Sequence, residues 1–224
     1  MQDPLTLTQV LCTRLCHDLA GPIGAVAAGV ELLGGDPAQA DAETLALIGN
    51  SSAAAARKLK FLRMALGTPG GSAQALADLR AALEGYVQAI ASTAGAASLT
   101  WPEPSALAAL DSVGLGRAAQ ILANIALVAL ETVPRTRRLE VNVAPATKGC
   151  ELSVTAHGQV SAQSDARGDL AALLQNHATA AITPKTVQAL YLCHLLAPLG
   201  GSARATPTPE GCRVSVVLPS AGGP

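Results

Sequence analysis

Two long helical stretches separated by a Gly-Gly-Asp-Pro break constrain this fold more than any other feature of the sequence. The first stretch runs from about residue 5 to residue 33, and the second continues to about Leu66. The two glycines are typical of a helix C-terminus, while Asp36 and Pro37 suit the N-cap and the first position of the next helix. Because the connection is so short, we predict an antiparallel helical hairpin.

The second helix carries an apolar seam whose members alternate in spacing between three and four residues. The seam consists of Leu45, Ile48, Ser52, Ala55, Leu59, Leu62 and Leu66. Such spacing is typical of helices that pack together in bundles. Since two helices enclose almost no core, we expect a second copy of the hairpin to complete a homodimeric four-helix bundle. The alternative is that the hairpin packs on the remainder of its own chain.

The first helix contains the string C-H-D-L-A-G-P-I at residues 16–23, which has the pattern of a phospho-accepting histidine. Neutral imidazole is a good nucleophile near physiological pH, and His17 supplies it. The acidic neighbour Asp18 can hold one ring nitrogen as N–H and leave the other free to attack phosphorus. Around the helix, His17 points away from an apolar stripe and therefore toward solvent. The stripe consists of Leu15, Leu19, Val26, Val30 and Leu33.

Two other residues of this helix act on the surroundings of the histidine. Arg14 and Asp18 are spaced i, i+4, so Arg14 can steady the carboxylate, although an ordinary surface ion pair is the alternative. Pro22 removes the backbone hydrogen bond to Asp18, and we expect it to bend the helix.

The second helix has a basic cluster that either lies on a solvated face or attracts an acidic partner. The cluster consists of Arg57, Lys58, Lys60 and Arg63.

The composition argues against several classes of function. The chain has 15 basic and 16 acidic side chains, a balance unlike that of nucleic-acid-binding proteins. We expect no membrane span, because every apolar run of 18 residues is interrupted, and residues 1–4 do not resemble a signal peptide. The expected location is therefore cytoplasmic. The five cysteines show no paired close spacing, so we expect reduced, mostly buried thiols and no metal site.

A glycine-rich linker separates the hairpin from the rest of the chain. The linker, residues 67–72, divides the sequence into a hairpin domain at 1–69 and a second domain at 73–224. The pattern of the second domain indicates an α/β sandwich, with a mostly antiparallel sheet covered on one face by helices. Its predicted helices lie near 73–92, 115–132, 164–176 and 184–198, and its predicted strands near 98–101, 139–143, 152–155 and 212–218.

This order resembles that of two-component histidine kinases, in which a dimerising phospho-acceptor hairpin precedes an ATP-binding domain of the Bergerat or GHKL type. Residues 17–23 match the kinase H-box, H-E/D-L-x-x-P-L. Three ATP-binding elements are altered, however. Val128 replaces the metal-binding asparagine of the N-box, Ala156 replaces the adenine-binding aspartate, and residues 182–186 lack a phosphate-loop glycine. We therefore expect no ATP binding from this degenerate domain.

A phospho-acceptor hairpin followed by a decayed ATP-binding domain is similar to the ChpT-type histidine phosphotransferases. Residues 16–33 and 186–191 carry the likeness. The resemblance implies a homodimer that relays phosphoryl groups through His17 between receiver domains. The receivers would belong to a hybrid kinase and to response regulators of alphaproteobacterial cell-cycle control, and they would bring Mg²⁺, so that the chain needs no cofactor of its own. The rival functions are an active ATP-dependent sensor histidine kinase and a non-catalytic dimeric adaptor.

The helix face beside His17 is nearly free of bulky side chains. This docking face consists of Ala20, Gly21, Gly24, Ala28 and Glu31, all within about 60° of His17 around the helix. Each glycine costs a helix roughly 1 kcal/mol relative to alanine, so two on one face require an explanation. We interpret the face as a surface on which a receiver helix lies. The alternatives are a general bias toward small residues and close contact with the second helix.

Overall fold

The computed structural model shows a helical hairpin packed on a mixed helical and sheet domain. It describes residues 3–33, 41–69, 74–91, 97–110, 114–147, 149–159, 166–176 and 179–219. The predicted caps Asp36 and Pro37 lie outside the described residues. The division of the chain at 1–69 and 73–224 stays a prediction.

The hairpin consists of α1 (Pro4–Leu32) and α2 (Ala42–Leu66). Asp3 caps α1, because its carboxylate accepts from the N–H groups of Leu5 and Thr6 at 3.1 Å each. Asp41 caps α2 by accepting from the N–H of Thr44 at 2.6 Å. The second helix therefore begins later than the predicted start near Pro37, because the extended backbone of Asp41 precedes its first turn.

The two helices run antiparallel, as predicted, and Gly29 of α1 lies against Ile48 of α2. Gly29 is buried against α2, and a Cβ built there would lie 2.5 Å from Cγ1 of Ile48. Any side chain at position 29 would therefore push the helices apart. At the other end of the contact, Lys58 of α2 meets the backbone of Asp18.

The predicted seam of α2 is divided between two environments. Ile48, Ala55 and Leu66 are half-buried and Leu62 is buried, whereas Leu45, Ser52 and Leu59 are exposed. The end of α2 packs on its own chain, because Phe61, Leu62 and Ala65 join the main buried cluster of the second domain. The alternative of packing on the same chain thus holds for this end of the hairpin.

The second domain contains five helices and five strands among the described residues. The helices are α3 (Ala75–Ala91), α4 (Pro104–Leu107), α5 (Leu115–Thr132), α6 (Ala166–Gln175) and α7 (Val187–Leu196); the strands are β1 (Ser98–Thr100), β2 (Arg135–Ala146), β3 (Gly149–Gln159), β4 (Ser202–Thr208) and β5 (Gly211–Pro219). Every predicted helix and strand is found. Helix α4 and strand β4 were not predicted, and β4 buries only Ala205, so its sequence has no apolar alternation.

The sheet has the strand order β1-β2-β3-β5-β4. Only β1 and β2 are parallel among these pairs, so the sheet is mostly antiparallel, as predicted. Alternate residues of the central strands are buried on one face, for example Leu139 and Val141 of β2. Helix α5 is buried along almost its whole length because it contacts the sheet, α7 and the hairpin.

A buried polar network joins the end of α2 to α5 and α7. Asn124 of α5 donates to the carbonyls of Ala65 and Gln120 at 2.8 Å each, and accepts from Gln188 of α7 at 2.5 Å. Gln120 itself donates to the carbonyl of Gly67 at 2.6 Å. The last carbonyls of a helix have no partner within the helix, so these side chains cap α2 from the second domain.

Candidate functional site

His17 lies on the exposed face of α1. Its side chain is 88% exposed, and its Nδ1 lies 3.5 Å from Oδ1 of Asp18. The carboxylate thus faces one ring nitrogen and leaves Nε2 available to attack. The role of the pair in phosphotransfer stays a prediction.

Pro22 creates a second feature of the site. Helix α1 continues through Pro22, which has no N–H to donate to the carbonyl of Asp18. Lys58 of α2 takes over this role, because its Nζ donates to that carbonyl at 3.2 Å. One member of the basic cluster is therefore half-buried and binds the backbone beside His17, rather than belonging to a solvated face.

Arg14 forms the predicted i, i+4 pair with Asp18 and also a closer one with a residue of the second domain. Its Nε lies 3.7 Å from Oδ2 of Asp18, while its Nη2 donates to Oε1 of Glu131 on α5. The side chains of Arg14 and Glu131 are 15% and 30% exposed, so their pair is mostly enclosed. Burial by itself lowers the pKa of Arg14, but Glu131 and then Asp18 outweigh it and raise that pKa.

Glu131 belongs to this group of charged side chains, and the sequence did not predict it there. Burial raises the pKa of its carboxyl, and the hydrogen bond and charge of Arg14 offset part of that rise. One signal was available in the sequence. Glu131 is an acidic residue in the last turn of a long apolar helix, where the helix dipole disfavours negative charge.

Tyr86 of α3 completes the group of titratable side chains behind His17. Burial, followed by the nearby charges of Asp18 and Glu131, raises the pKa of its phenol well above the ordinary value. Its ring packs against the ring of Phe61 in the core, and the two ring centroids are 4.6 Å apart. The cluster of Arg14, Asp18, Tyr86 and Glu131 thus joins α1 to α3 and α5.

An open cleft of about 770 Å³ separates His17 from the second domain. It is lined by α1, by α5 including Val128 and Glu131, by α6, and by the turn at Thr183–Thr186. Thr186 uses its hydroxyl within this turn, accepting from the N–H of Thr183 at 2.9 Å and donating to the carbonyl of Ala181 at 2.6 Å. Val128 and the glycine-free turn therefore lie together at the cleft, whereas Ala156 is buried in the core. The absence of ATP binding stays a prediction.

All five residues of the docking face are exposed, namely Ala20, Gly21, Gly24, Ala28 and Glu31. Apart from its chain neighbours and the backbone of its own helix turns, a Cβ built at Gly21 or Gly24 would have no atom of the described residues within 4 Å. Close contact with α2 therefore explains Gly29 and does not explain these two glycines. The docking role itself stays a prediction.

The thiols differ from the expectation of mostly buried cysteines. Cys150 and Cys212 are buried, but Cys12 and Cys16 are exposed, because they lie on a face of α1 that α2 does not cover. The described ranges contain no group of three or more His, Cys, Asp or Glu placed to hold a metal ion. In the same ranges, no helix is long and apolar enough to cross a membrane.

Residues 76–211 match the family model described as the histidine phosphotransferase C-terminal domain. That match covers more than half of the chain, so the chain belongs to the histidine phosphotransferase family. The curated protein phosphotransferase ChpT of Brucella abortus (strain 2308) is 41% identical over 68 residues, which are 30% of this chain and 32% of that protein. The alignment thus spans about a third of the relative's length.

The fold can also be compared with solved structures. A bacterial phosphotransferase has the same fold, with a TM-score of 0.69 and 23% identity over 97% of this chain and 98% of that chain. The kinase domain of a blue-light-activated histidine kinase from Erythrobacter litoralis gives a TM-score of 0.41 at 14% identity, over 96% of this chain and 91% of that chain, which is too distant to bear on the site. The prediction of a ChpT-type histidine phosphotransferase is confirmed.

Proposed function

We propose that this chain is a homodimeric relay that carries a phosphoryl group between receiver-domain aspartates through His17. One observation supports it above all. An exposed imidazole, with a carboxylate facing Nδ1, stands on a helix of a histidine phosphotransferase. The partners in this proposal are the receivers of a hybrid kinase and of response regulators, which places the relay in the cytoplasm and in cell-cycle control.

The transfer consists of two in-line displacements. In the first, Nε2 of neutral His17 attacks the phosphorus of an aspartyl phosphate, forming an N–P bond while the acyl P–O bond breaks. The receiver carboxylate leaves with the bonding electrons, and the imidazole ring gains positive charge. Asp18 stabilises that charge because its Oδ1 lies 3.5 Å from Nδ1, which keeps its proton. The second step is the reverse reaction with another receiver's aspartate.

Catalysis of this kind depends mainly on positioning and on stabilisation of charge. The receiver would supply Mg²⁺ and the cation that neutralise the phosphoryl oxygens, so the chain requires no cofactor of its own. Its own residues orient the imidazole and present an open face for docking. The helix face formed by Gly21, Gly24 and Ala28 admits a partner helix close to His17, since small side chains permit the closest approach.

The exposed apolar residues of the hairpin support dimerisation. On α1 they form a stripe within roughly 40° around the helix, about 120° from the face that contacts α2. The stripe consists of Leu5, Cys12, Cys16, Ile23 and Val30. On α2, Leu45 and Leu59 are 52% and 51% exposed. Apolar stripes on both helices suit the interior of a four-helix bundle, so a second hairpin would cover them and bury both exposed thiols.

The test of the relay is incubation with a receiver that carries a labelled aspartyl phosphate. We expect the label to move to the chain, and His17→Gln to abolish this while leaving helicity and the dimer intact. His157→Gln and His194→Gln are matched controls that should keep the label. Label that persists in His17→Gln would contradict the assignment, and labelling by ATP alone would favour the kinase function. Receiver binding without labelling would favour the adaptor.

A test of the dimer uses the two exposed thiols. Alkylation of Cys12 and Cys16 should be slow in the dimer, and the modified chain should sediment as a monomer. The monomeric variant Ile23→Glu with Val30→Glu should react faster, because both thiols lie on the same stripe. Equal reactivity in the two forms would show that the stripe lies outside the interface.

A further inference from the structure

The proposed transfer steps use His17 and Asp18 and do not require the ion pair between Arg14 and Glu131. It joins the turn of α1 just before His17 to the last turn of α5 in the second domain. Nη1 of Arg14 is buried and has no hydrogen-bond partner within the described part of the chain. The guanidinium is therefore held in place at some energetic cost.

Glu131 also occupies an unfavourable position. Its carboxylate lies at the negative end of the α5 dipole and is mostly enclosed. Removing charges from water is expensive, and replacing a buried pair by apolar residues is often neutral or stabilising. An apolar pair would thus serve stability equally well, so a role in the neighbouring site accounts better for the charges.

The distances suggest what that role is. Arg14 is shared between two carboxylates, with a hydrogen bond to Glu131 and only a long contact of 3.7 Å to Asp18. An arginine without Glu131 would be free to form a full pair with Asp18. That pair would neutralise the carboxylate which faces Nδ1 of His17.

We propose, on the basis of the proposed function, that Glu131 is a positioning residue which holds Arg14 away from Asp18 and keeps that carboxylate on the His17 imidazole. The degenerate ATP-binding domain thereby completes the phosphotransfer site of the hairpin. Glu131 touches neither substrate nor phosphorus in this scheme, and it acts only through Arg14.

The charged and titratable groups around His17 come from several elements. Arg14 and Asp18 belong to α1, Lys58 to α2, Tyr86 to α3 and Glu131 to α5. Lys185 lines the same cleft from the turn before α7, and Asp169 lines it from α6. In Glu131→Gln, one negative charge is lost and Arg14 moves onto Asp18. Both changes weaken the negative field at the imidazole.

The experiment uses the full chain and two readouts, namely steady-state transfer from a labelled phospho-receiver and the NMR shifts of the His17 ring nitrogens at one fixed pH. Glu131→Gln should lower kcat about tenfold, as loss of an outer partner does at metal-bound imidazoles. KM should change little, and the ring-nitrogen shifts of His17 should move, because Asp18 no longer faces Nδ1 alone. Glu131→Asp should restore part of both effects. Glu151→Gln is the matched control, because Glu151 pairs with Arg213 at 2.9 Å on the sheet.

Wild-type kcat together with unchanged NMR shifts of the His17 ring nitrogens in folded Glu131→Gln would overturn the proposal. If Glu131→Gln does not fold, Arg14→Met with Glu131→Leu removes both charges and keeps the packing. A folded double variant should transfer at the normal rate, because Asp18 is then free of any guanidinium, whereas slow transfer at normal thermal stability would overturn the proposal. The NMR shifts separate this proposal from the proposed relay, since they report the effect of Glu131 on the imidazole even if no receiver labels His17.

Discussion

Asn124 provides the sharpest test of how the second domain holds the hairpin. Its side chain is fully buried and makes three hydrogen bonds, two of which reach other elements, at Ala65 and Gln188. The carbonyl of Ala65 depends on this contact, because the residue four positions later is Pro69 and has no N–H to donate. Replacing Asn124 by leucine keeps a similar shape but removes every one of these bonds.

The expected cost follows from the groups that lose their partners. Asn124→Leu leaves the carbonyl of Ala65 and the amide of Gln188 unpaired, at about 1–3 kcal/mol each. Burial of the leucine methyl groups offsets about 1–2 kcal/mol. We therefore expect the free energy of unfolding to fall by about 3 kcal/mol. The double variant Asn124→Leu with Gln188→Leu should lower the free energy of unfolding by about 1–2 kcal/mol less than the sum of the two single variants. The reason is that the double variant has no Gln188 amide left without a partner.

The assay is urea unfolding followed by circular dichroism at one fixed protein concentration, since a dimer's stability depends on concentration. Asn142→Leu is the control, because Asn142 is exposed on β2 and its substitution should change stability by less than about 0.5 kcal/mol. A loss below about 0.5 kcal/mol in Asn124→Leu, or strict additivity in the double variant, would refute the capping role of the network.

Three further predictions concern the hairpin and the cleft. Gly24→Arg should block transfer from a receiver while leaving the dimer intact, because the side chain would occupy the open docking face; an unchanged rate in a folded dimer would reject that face. Gly29→Ala should destabilise the chain by about 1–3 kcal/mol through overpacking against Ile48, whereas Gly24→Ala should stabilise it by about 0.5–1 kcal/mol. Thermal melts that reversed this order would contradict the contact between Gly29 and Ile48. Calorimetric titration with Mg-ATP should show no saturable heat into the high micromolar range, and a clear micromolar isotherm would favour a kinase.

Local patterns in the sequence were sufficient to predict most of the elements. The helix predicted at 115–132 has the bounds of α5, and alternation predicted β2 and β3 because each strand buries one face. The start of α2 was misplaced because two Asp residues, Asp36 and Asp41, both offer an N-cap, and periodicity does not choose between them. Strand β4 escaped detection because its pairing with β5, rather than its own apolar pattern, makes it a strand.

The sequence alone determined the hairpin, the exposed histidine with its neighbouring acid, and the spacing of the α2 seam, because each depends on residues within a few helical turns. Tertiary structure decided which side chains surround that histidine. Lys58 and Glu131 lie 40 and 117 residues from their partners Asp18 and Arg14, and no local period encodes such a distance. Packing also decided which part of the seam is covered within one chain and which part is left exposed. These choices depend on how whole elements dock, and that is set by the shared core rather than by any single stretch of sequence.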